Sequence, residues 1–210
     1  MRLTVSGFGH NERIPDEYAF GTPHPVDHVQ FSDNRNPALS WTDVPERAKS
    51  LIIVCVDSDV PSKPDDVNQV GRMVPASLPR GSFYHWVMVD IPTTVTGIEA
   101  GFCSDGITKR GKQDPAGPPG SRQGINDYTS WFAGDTDMEG TYYGYDGPCP
   151  PWNDSIMHHY HFILYASDME HCPVTGDFTG KEVEDSLKGH VVDQVSVTGV
   201  YTLNQSLRNQ

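Results

Sequence analysis

The sequence predicts a mainly antiparallel all-β protein, either a β-sandwich or a partly open barrel, with long loops and one or two short helices near the C-terminus. Three observations support this prediction. Several runs have the apolar or alternating pattern of strands, 20 Gly and 17 Pro residues break the chain, and only one segment begins like a helix. No repeat or change of composition marks a second domain, so residues 1–210 are expected to form one.

Four runs account for the main predicted strands. Residues 51–56 form a continuous apolar and β-branched run, which is typical of a strand buried on both faces. Residues 83–91 and 158–166 form two further runs, and apolar residues alternate through 195–203. The segment that precedes the first run is expected to contain only short extended pieces, because Pro, Gly and Asn interrupt it.

One helix is predicted near the C-terminus. Thr179 and Glu182 form a capping-box pattern, in which each side chain bonds the other residue's backbone amide. The apolar residues that follow continue the helical pattern as far as Gly189, where a glycine stop is expected.

The composition limits the partners. The protein has a net charge of −13 and a pI near 4.9, so its negative charge repels nucleic acid and anionic lipid surfaces. The first residues lack the apolar core of a signal peptide, and no stretch is long and apolar enough to span a bilayer. A cytoplasmic protein that does not insert into membranes is therefore expected.

The four cysteines, Cys55, Cys103, Cys149 and Cys172, are far apart and lack CxxC spacing, so reduced thiols are predicted. Cys149 lies in a proline-rich loop close to the candidate site. A reactive thiol would need a cationic neighbour such as His158, and the sequence leaves its reactivity open.

The candidate site follows from strand alternation. In the run 158–166, His158 and Tyr160 share a face, whereas His159 lies on the other. Asp57 ends the first run and His85 lies within the second. Three adjacent strands would bring these side chains together beside the rigid loop that precedes His158.

Such a group of residues suits a small anion. Imidazoles, the Tyr160 hydroxyl and backbone amides can donate hydrogen bonds, and a glycine at Gly147 would let the backbone approach a ligand. Prolines at 148, 150 and 151 would hold the loop rigid. Because the Asp57 carboxylate would repel an anion, it is expected to orient a histidine and raise its pKa.

Two long loops could complete the site. Residues 61–80 are polar and rich in proline, and are expected to form a functional rim or a contact with a partner. Residues 104–124 contain four of the 15 basic residues, namely Lys109, Arg110, Lys112 and Arg122. This second loop is either solvated or a cationic rim that guides an anion.

Four motifs occur in one order: Asp-x-Asp-x-Pro from Asp57, His-Trp from His85, Gly-Pro-x-Pro-Pro from Gly147, and His-x-Tyr-x-Phe from His158. Because it has these four motifs in this order, the chain resembles the phosphatidylethanolamine-binding protein family, in its bacterial Raf kinase inhibitor-like branch. The resemblance extends over nearly the whole chain, and implies a sandwich of two antiparallel sheets with an anion pocket at one end.

The resemblance also assigns ligand-binding residues, which are Asp57, Asp59, His85, Pro151, His158 and Tyr160, and the geometry of the loop adds Gly147 and Pro148 as candidates. Two positions depart from the family pattern. Ser58 replaces a proline between the two aspartates, which is expected to loosen the turn, and His159 replaces an arginine on the face opposite the pocket.

The predicted function is non-enzymatic binding of a small phosphorylated or anionic ligand, without a cofactor, and with affinity that rises from about pH 8 to about pH 6 as histidines gain protons. Three alternatives stay open. Asp57, His85 and His158 could hold a metal in an enzyme. A serine hydrolase would lack the GxSxG motif. A kinase- or protease-inhibitor-like module could bind a protein through its long loops, which could instead form a homodimer.

Overall fold

The computed structural model describes residues 1–208, which form eleven β-strands and three short α-helices. The strands are β1 (Arg2–Val5), β2 (Glu12–Arg13), β3 (Gly21–His24), β4 (His28–Phe31), β5 (Leu39–Thr42), β6 (Ser50–Pro61), β7 (Arg80–Pro92), β8 (Gly97–Ile98), β9 (Arg122–Gln123), β10 (His158–Ser167) and β11 (Val191–Tyr201). The helices are α1 (Tyr128–Trp131), α2 (Gly180–Ser186) and α3 (Gln205–Arg208).

A six-stranded sheet forms the centre of the molecule, in the order β2-β11-β10-β6-β7-β9. Its four long strands are the four runs predicted from the sequence. All its pairings are antiparallel except the short pairing of β2 with β11. The first eight residues of β6 are buried, as expected for a continuous apolar run between two neighbouring strands.

The second sheet, β1-β5-β8, packs on one face of the first. Trp41 of β5 is 2% exposed and joins one core cluster with Ile53, Trp86 and Phe162 of the large sheet. The prediction of a sandwich of two antiparallel sheets is confirmed, with a two-stranded hairpin, β3-β4, beside it.

The other face of the large sheet is covered by α2 and the segment before it. Val54 and Val87 lie in a second core cluster with Phe178 and Val183. The predicted capping box is present, because Thr179 accepts from the backbone of Glu182 while the Glu182 side chain accepts from the backbone of Thr179. The central parts of β6 and β7 are therefore shielded from water on both faces.

The short strands β1 to β5 agree with the short extended pieces predicted before residue 51, and α3 with the second of the one or two short helices predicted near the C-terminus. The sequence did not predict β8, β9 or α1, because segments of two to four residues carry too little periodicity. Within residues 1–208, no helix has the length and apolar composition needed to cross a bilayer.

Candidate functional site

A cavity of about 310 Å³ opens at one end of the large sheet. Its polar lining includes Asp57 of β6, His85 of β7, and His158 and Tyr160 of β10, together with Asn68 of the loop 61–80. Tyr160 pairs with Asp57 in the strand register, and the rings of His85 and Tyr160 are 5.2 Å apart. The structure thus brings together the four side chains that strand alternation selected.

The walls of the cavity are apolar. Besides Tyr160, six aromatic residues line it: Phe20, Phe31, Phe83, Tyr128, Trp131 and Phe132. The sequence analysis did not identify this wall, although Phe83 precedes His85 by two positions and so shares its face of β7. Phe20 and Phe31 come from the hairpin region and Trp131 from α1, and no sequence pattern connects these elements with the site.

His158 lies between two carboxylates. Its Nδ1 bonds Oδ2 of Asp57 at 2.7 Å, and its Nε2 bonds Oδ2 of Asp154 at 3.1 Å. Burial lowers the pKa of His158, but the charge of Asp57 and the hydrogen bonds to Asp154 and Asp57 outweigh it and raise the pKa to about 9. His158 is therefore protonated at neutral pH, as the pairing with Asp57 predicted.

Both N–H groups of His158 are committed to these carboxylates, so this ring has no hydrogen bond left to donate to a ligand. This differs from the predicted role of His158 as an anion donor. Asp154 also binds Arg80 through two hydrogen bonds of 2.6 and 3.0 Å, so its charge is shared between two cations. The sequence analysis missed Asp154 and Arg80.

His85 is held in the opposite state. Its Nδ1 bonds the backbone oxygen of Asp146 at 2.8 Å, and because a carbonyl only accepts, Nδ1 must carry the proton. Burial lowers the pKa of His85, and the opposing effects of Asp57 and of the bond to Asp146 do not reverse it. His85 is therefore neutral at pH 7.

The second ring nitrogen of His85, Nε2, makes no hydrogen bond within residues 1–208. This nitrogen is not one of the unpaired side-chain atoms that are buried away from solvent. It is therefore exposed to the cavity that His85 lines. In the neutral ring this atom is an acceptor, whereas the sequence analysis expected a donor.

Tyr160 is fully buried, and its hydroxyl has no hydrogen-bond partner in the described part of the chain. Burial, followed by the charge of Asp57, raises the pKa of Tyr160 well above its usual value, so the hydroxyl keeps its proton. The hydroxyl oxygen is sealed from solvent, and its interaction with the Asp57 carboxylate contributes to the raised pKa.

The proline loop supplies one side of the cavity through Cys149, Pro150 and Pro151. The amide of Cys149 is the only N–H in the segment from Pro148 to Pro151, and it has no acceptor within residues 1–208. It is a candidate donor to a ligand.

Gly147 and Pro148 lie outside the cavity and anchor the loop. The amide of Gly147 donates to Asn34 Oδ1 at 2.8 Å, and the carbonyl of Pro148 accepts from the Phe20 amide at 2.9 Å. A Cβ at Gly147 would lie 1.9 Å from the carbonyl oxygen of Tyr18. This glycine therefore permits a close approach of two backbone segments and not, as expected, of a ligand.

Asp59 also lies outside the cavity. It accepts from the His159 backbone amide and Nδ1 at 2.8 and 2.7 Å, while its own amide donates to Asp57 Oδ1 at 2.8 Å. Asp59 thus fixes the Asp57 carboxylate and does not face the ligand. Ser58 bonds His161 Nε2 at 3.0 Å, so the turn is tied to β10 and is not loose.

The two long loops behave differently. Pro61, Pro64 and Val67 line the cavity, so the loop 61–80 forms part of its rim. The basic loop does not form a cationic rim, because among residues 1–208 no Lys or Arg lines the cavity. Lys112 bonds Asp146 at 2.6 Å, and Arg122 bonds Asp90 at 2.7 Å.

The enzymatic alternatives find little support in the geometry. Burial raises the pKa of the Cys149 thiol to about 12, which leaves it unreactive at neutral pH. Ser58 bonds a histidine on the outer face of β10 and not His158. Within residues 1–208, no three His, Cys, Asp or Glu side chains are arranged to hold a metal.

Comparison with known proteins identifies the family. A model of the family described as phosphatidylethanolamine-binding protein matches residues 4–202. The chain belongs to this family. The predicted resemblance is thereby confirmed over nearly the whole sequence.

Relatives in this family occur in archaea and bacteria. A UPF0098 protein of Methanothermobacter thermautotrophicus is 31% identical over 96% of this chain and 98% of its own length. The UPF0098 protein PH1269 of Pyrococcus horikoshii is 33% identical over 96% of this chain and 77% of its own. The crystal structure of Escherichia coli YbcL, described as a new member of the mammalian PEBP family, is 26% identical, with a TM-score of 0.65 over 96% of this chain and 97% of that one.

Proposed function

We propose that the cavity binds a small phosphate monoester with an apolar organic group, and that the protein acts by binding this ligand without converting it. The observation that carries the proposal is the mixed character of the cavity floor. Asp57 and His85 Nε2 can accept hydrogen bonds there, while the Cys149 amide can donate one.

A singly protonated phosphate monoester matches this floor. Its P–OH group can donate to Asp57 or to His85, and another of its oxygens can accept from the Cys149 amide. A fully ionised anion lacks the donor and would place an oxygen against the carboxylate. The aromatic walls, which include Phe83 and Trp131, provide an apolar surface for the organic group of the ligand.

A binding role is favoured over a catalytic one because neither candidate nucleophile is activated. The Cys149 thiol remains protonated, and Ser58 is bonded to His161. The family is described by its binding of phosphatidylethanolamine, a lipid with a phosphate ester, which agrees with a phosphate-bearing ligand.

The proposal predicts that affinity depends on a proton carried by the ligand. Phenyl phosphate should bind more tightly at about pH 6 than at about pH 8, because the second pKa of a phosphate monoester is about 6. This is the direction predicted from the sequence, but the titrating group is the ligand, since His158 stays charged and His85 stays neutral over most of this range.

Calorimetry with phenyl phosphate and phenyl sulfate at both pH values tests the proposal. The sulfate ester has the same ring and cannot gain the proton, so it should bind at least about tenfold more weakly at pH 6. Equal affinity for the two esters, or no binding of either, would contradict the proposed function.

A further inference from the structure

A buried carboxylate lies next to the cavity without lining it. The Asp146 side chain is 1% exposed and accepts three hydrogen bonds, from Asn34 Nδ2 at 2.7 Å, Asn126 Nδ2 at 2.8 Å and Lys112 Nζ at 2.6 Å. Lys112 comes from the long basic loop and its side chain is 13% exposed, so this ion pair is largely shielded from water.

The backbone of Asp146 holds His85 at two points. The Asp146 amide donates to the His85 carbonyl at 3.0 Å, and His85 Nδ1 donates to the Asp146 carbonyl at 2.8 Å. The position of one residue therefore fixes both the backbone and the ring of His85. Within residues 1–208, Lys112 is the only cation bonded to the Asp146 side chain, so its charge acts directly on this arrangement.

We propose that Lys112, which lies outside the cavity, is a positioning residue that sets ligand selectivity: by offsetting the Asp146 charge it keeps His85 neutral, with Nε2 open as a hydrogen-bond acceptor. This inference rests on the proposed function, in which the floor of the cavity selects a protonated oxyanion.

The charges around His85 show why Lys112 matters. Asp57 on β6 and Asp146 on the proline loop both favour a protonated ring, whereas burial and the charged His158 on β10 oppose it. The other titratable groups that face the ring, Tyr128 of α1 and Tyr160 of β10, are phenols that remain neutral. Losing the Lys112 charge would leave the Asp146 carboxylate uncompensated and shift the balance towards imidazolium.

A protonated His85 would reverse the selectivity of the floor. Its Nε2 would then donate a hydrogen bond, which favours an oxyanion without a proton. Lys112 would thus decide, from beyond the cavity wall, whether the site prefers a phosphate monoester or a sulfate ester.

Two substitutions with opposite expected effects test this inference. Lys112→Met removes the cation and should raise the pH at which His85 gains its proton. Asp146→Asn removes the anion but keeps the backbone bonds, and should lower that pH because Lys112 is then unopposed. Lys109→Met is the matched control, since Lys109 is exposed in the same loop and has no hydrogen bond to Asp146.

The readout is the nitrogen spectrum of His85 in histidine-labelled protein without ligand, assigned with His85→Gln. We expect a wild-type ring protonated at Nδ1 alone near pH 7, opposite shifts in the two variants, and no shift in Lys109→Met. A general loosening of the fold would instead shift the pH at which His85 gains its proton in the same direction in both variants. An Nε2-protonated neutral ring in the wild type, or titrations that do not move in opposite directions, would overturn the inference.

A second measurement links the effect to binding. The preference for phenyl phosphate over phenyl sulfate at about pH 6.5 should fall by about tenfold in Lys112→Met and persist in Lys109→Met. If the His85 titration shifts as expected but no variant binds either ester, the proposed function fails while the role of Lys112 in holding His85 stands. If Lys112→Met does not fold, the shift in Asp146→Asn alone decides the inference.

Discussion

Two histidines on strands that flank β6 are held in opposite protonation states by different partners. His158 is bonded by two carboxylates and is charged, whereas His85 is bonded by a carbonyl and is neutral. The residue type alone could not have distinguished them, because an unperturbed histidine titrates near 6.5. The difference comes from whether a charge or only a dipole accepts the Nδ1 proton.

The raised pKa of His158 makes stability depend on pH. The folded value is about 9 and the unfolded value is about 6.5, so the stabilisation is fully present below about pH 6.5 and is lost as the pH rises through about 9. Urea unfolding should therefore show a decrease in the free energy of unfolding between these values.

The control for this prediction is His158→Asn, which has no titrating ring. It should be less stable at neutral pH by about 3–5 kcal/mol, because Asp57 and Asp154 lose their shared cation. Its stability should also lack the decrease in the alkaline range. The same decrease in both proteins would mean that another group titrates.

The unpaired hydroxyl of Tyr160 gives a second prediction at this scale. Tyr160→Phe should leave stability unchanged or higher, because it removes a buried group without a partner. Affinity for phenyl phosphate should change by less than about twofold, because the hydroxyl is sealed from solvent and does not open into the cavity. Both are measured on one preparation, by urea unfolding and by calorimetry.

Tyr145→Phe is the matched comparison. The Tyr145 hydroxyl is also buried, but it donates to the Tyr18 carbonyl at 2.6 Å and does not line the cavity. This variant should lose about 1 kcal/mol of stability and keep its affinity. A loss of affinity in Tyr160→Phe alone would contradict this expectation and show that the hydroxyl of Tyr160 takes part in binding.

Among the elements, β6 and β10 position the site, and α2 excludes water from the other face of these strands. The register that pairs Asp57 with Tyr160 puts the carboxylate and the phenol side by side at the end of both strands. The pairing of β6 with β7 shifts between Asp57 and Val60, which lets the chain turn towards the rim immediately after the carboxylate. The helix then seals the opposite face of the same strands.

The cap of α2 should contribute measurably to this sealing. Thr179→Ala removes the side chain that accepts from the Glu182 amide and should lower the free energy of unfolding by about 1 kcal/mol. Thr179→Ser keeps the accepting oxygen and should lose much less. Equal losses in urea unfolding would show that the threonine methyl group, and not the cap, provides the stability.

At the scale of the whole molecule, the net charge of −13 acts against the proposed ligand. No Lys or Arg of residues 1–208 lines the cavity, and the charge of His158 is already balanced by Asp57 and Asp154, so no unpaired cation in the described lining offsets this long-range repulsion. Binding then depends on short hydrogen bonds inside the cavity, whose strength changes little with salt.

This combination predicts an unusual response to ionic strength. Affinity for phenyl phosphate should increase when salt is raised from about 0.02 M to about 0.2 M, because the Debye length falls below the distance to most surface charges. Calorimetry at constant pH measures it. A decrease in affinity with salt would indicate that a cation of the protein contacts the ligand.

The sequence by itself determined the four long strands, the capped helix and the alternation that places Asp57, His85, His158 and Tyr160 on one side. These depend on local periodicity, and the structure keeps all of them. Motif order also indicated the family that the comparison confirmed. Strand periodicity could not determine the hydrogen-bond partners and the protonation state of each side chain.

Only the tertiary structure decided the partners of those side chains. Asp154 bonds His158 and Asp146 bonds His85 from loops whose paths have no periodic pattern, and Arg80, at the start of β7, bonds Asp154. Protonation depends on such contacts within about 3 Å, and the sequence contains no information at that distance until the chain has folded. For this reason the sequence predicted two histidine donors, whereas the folded protein has one locked cation and one open acceptor.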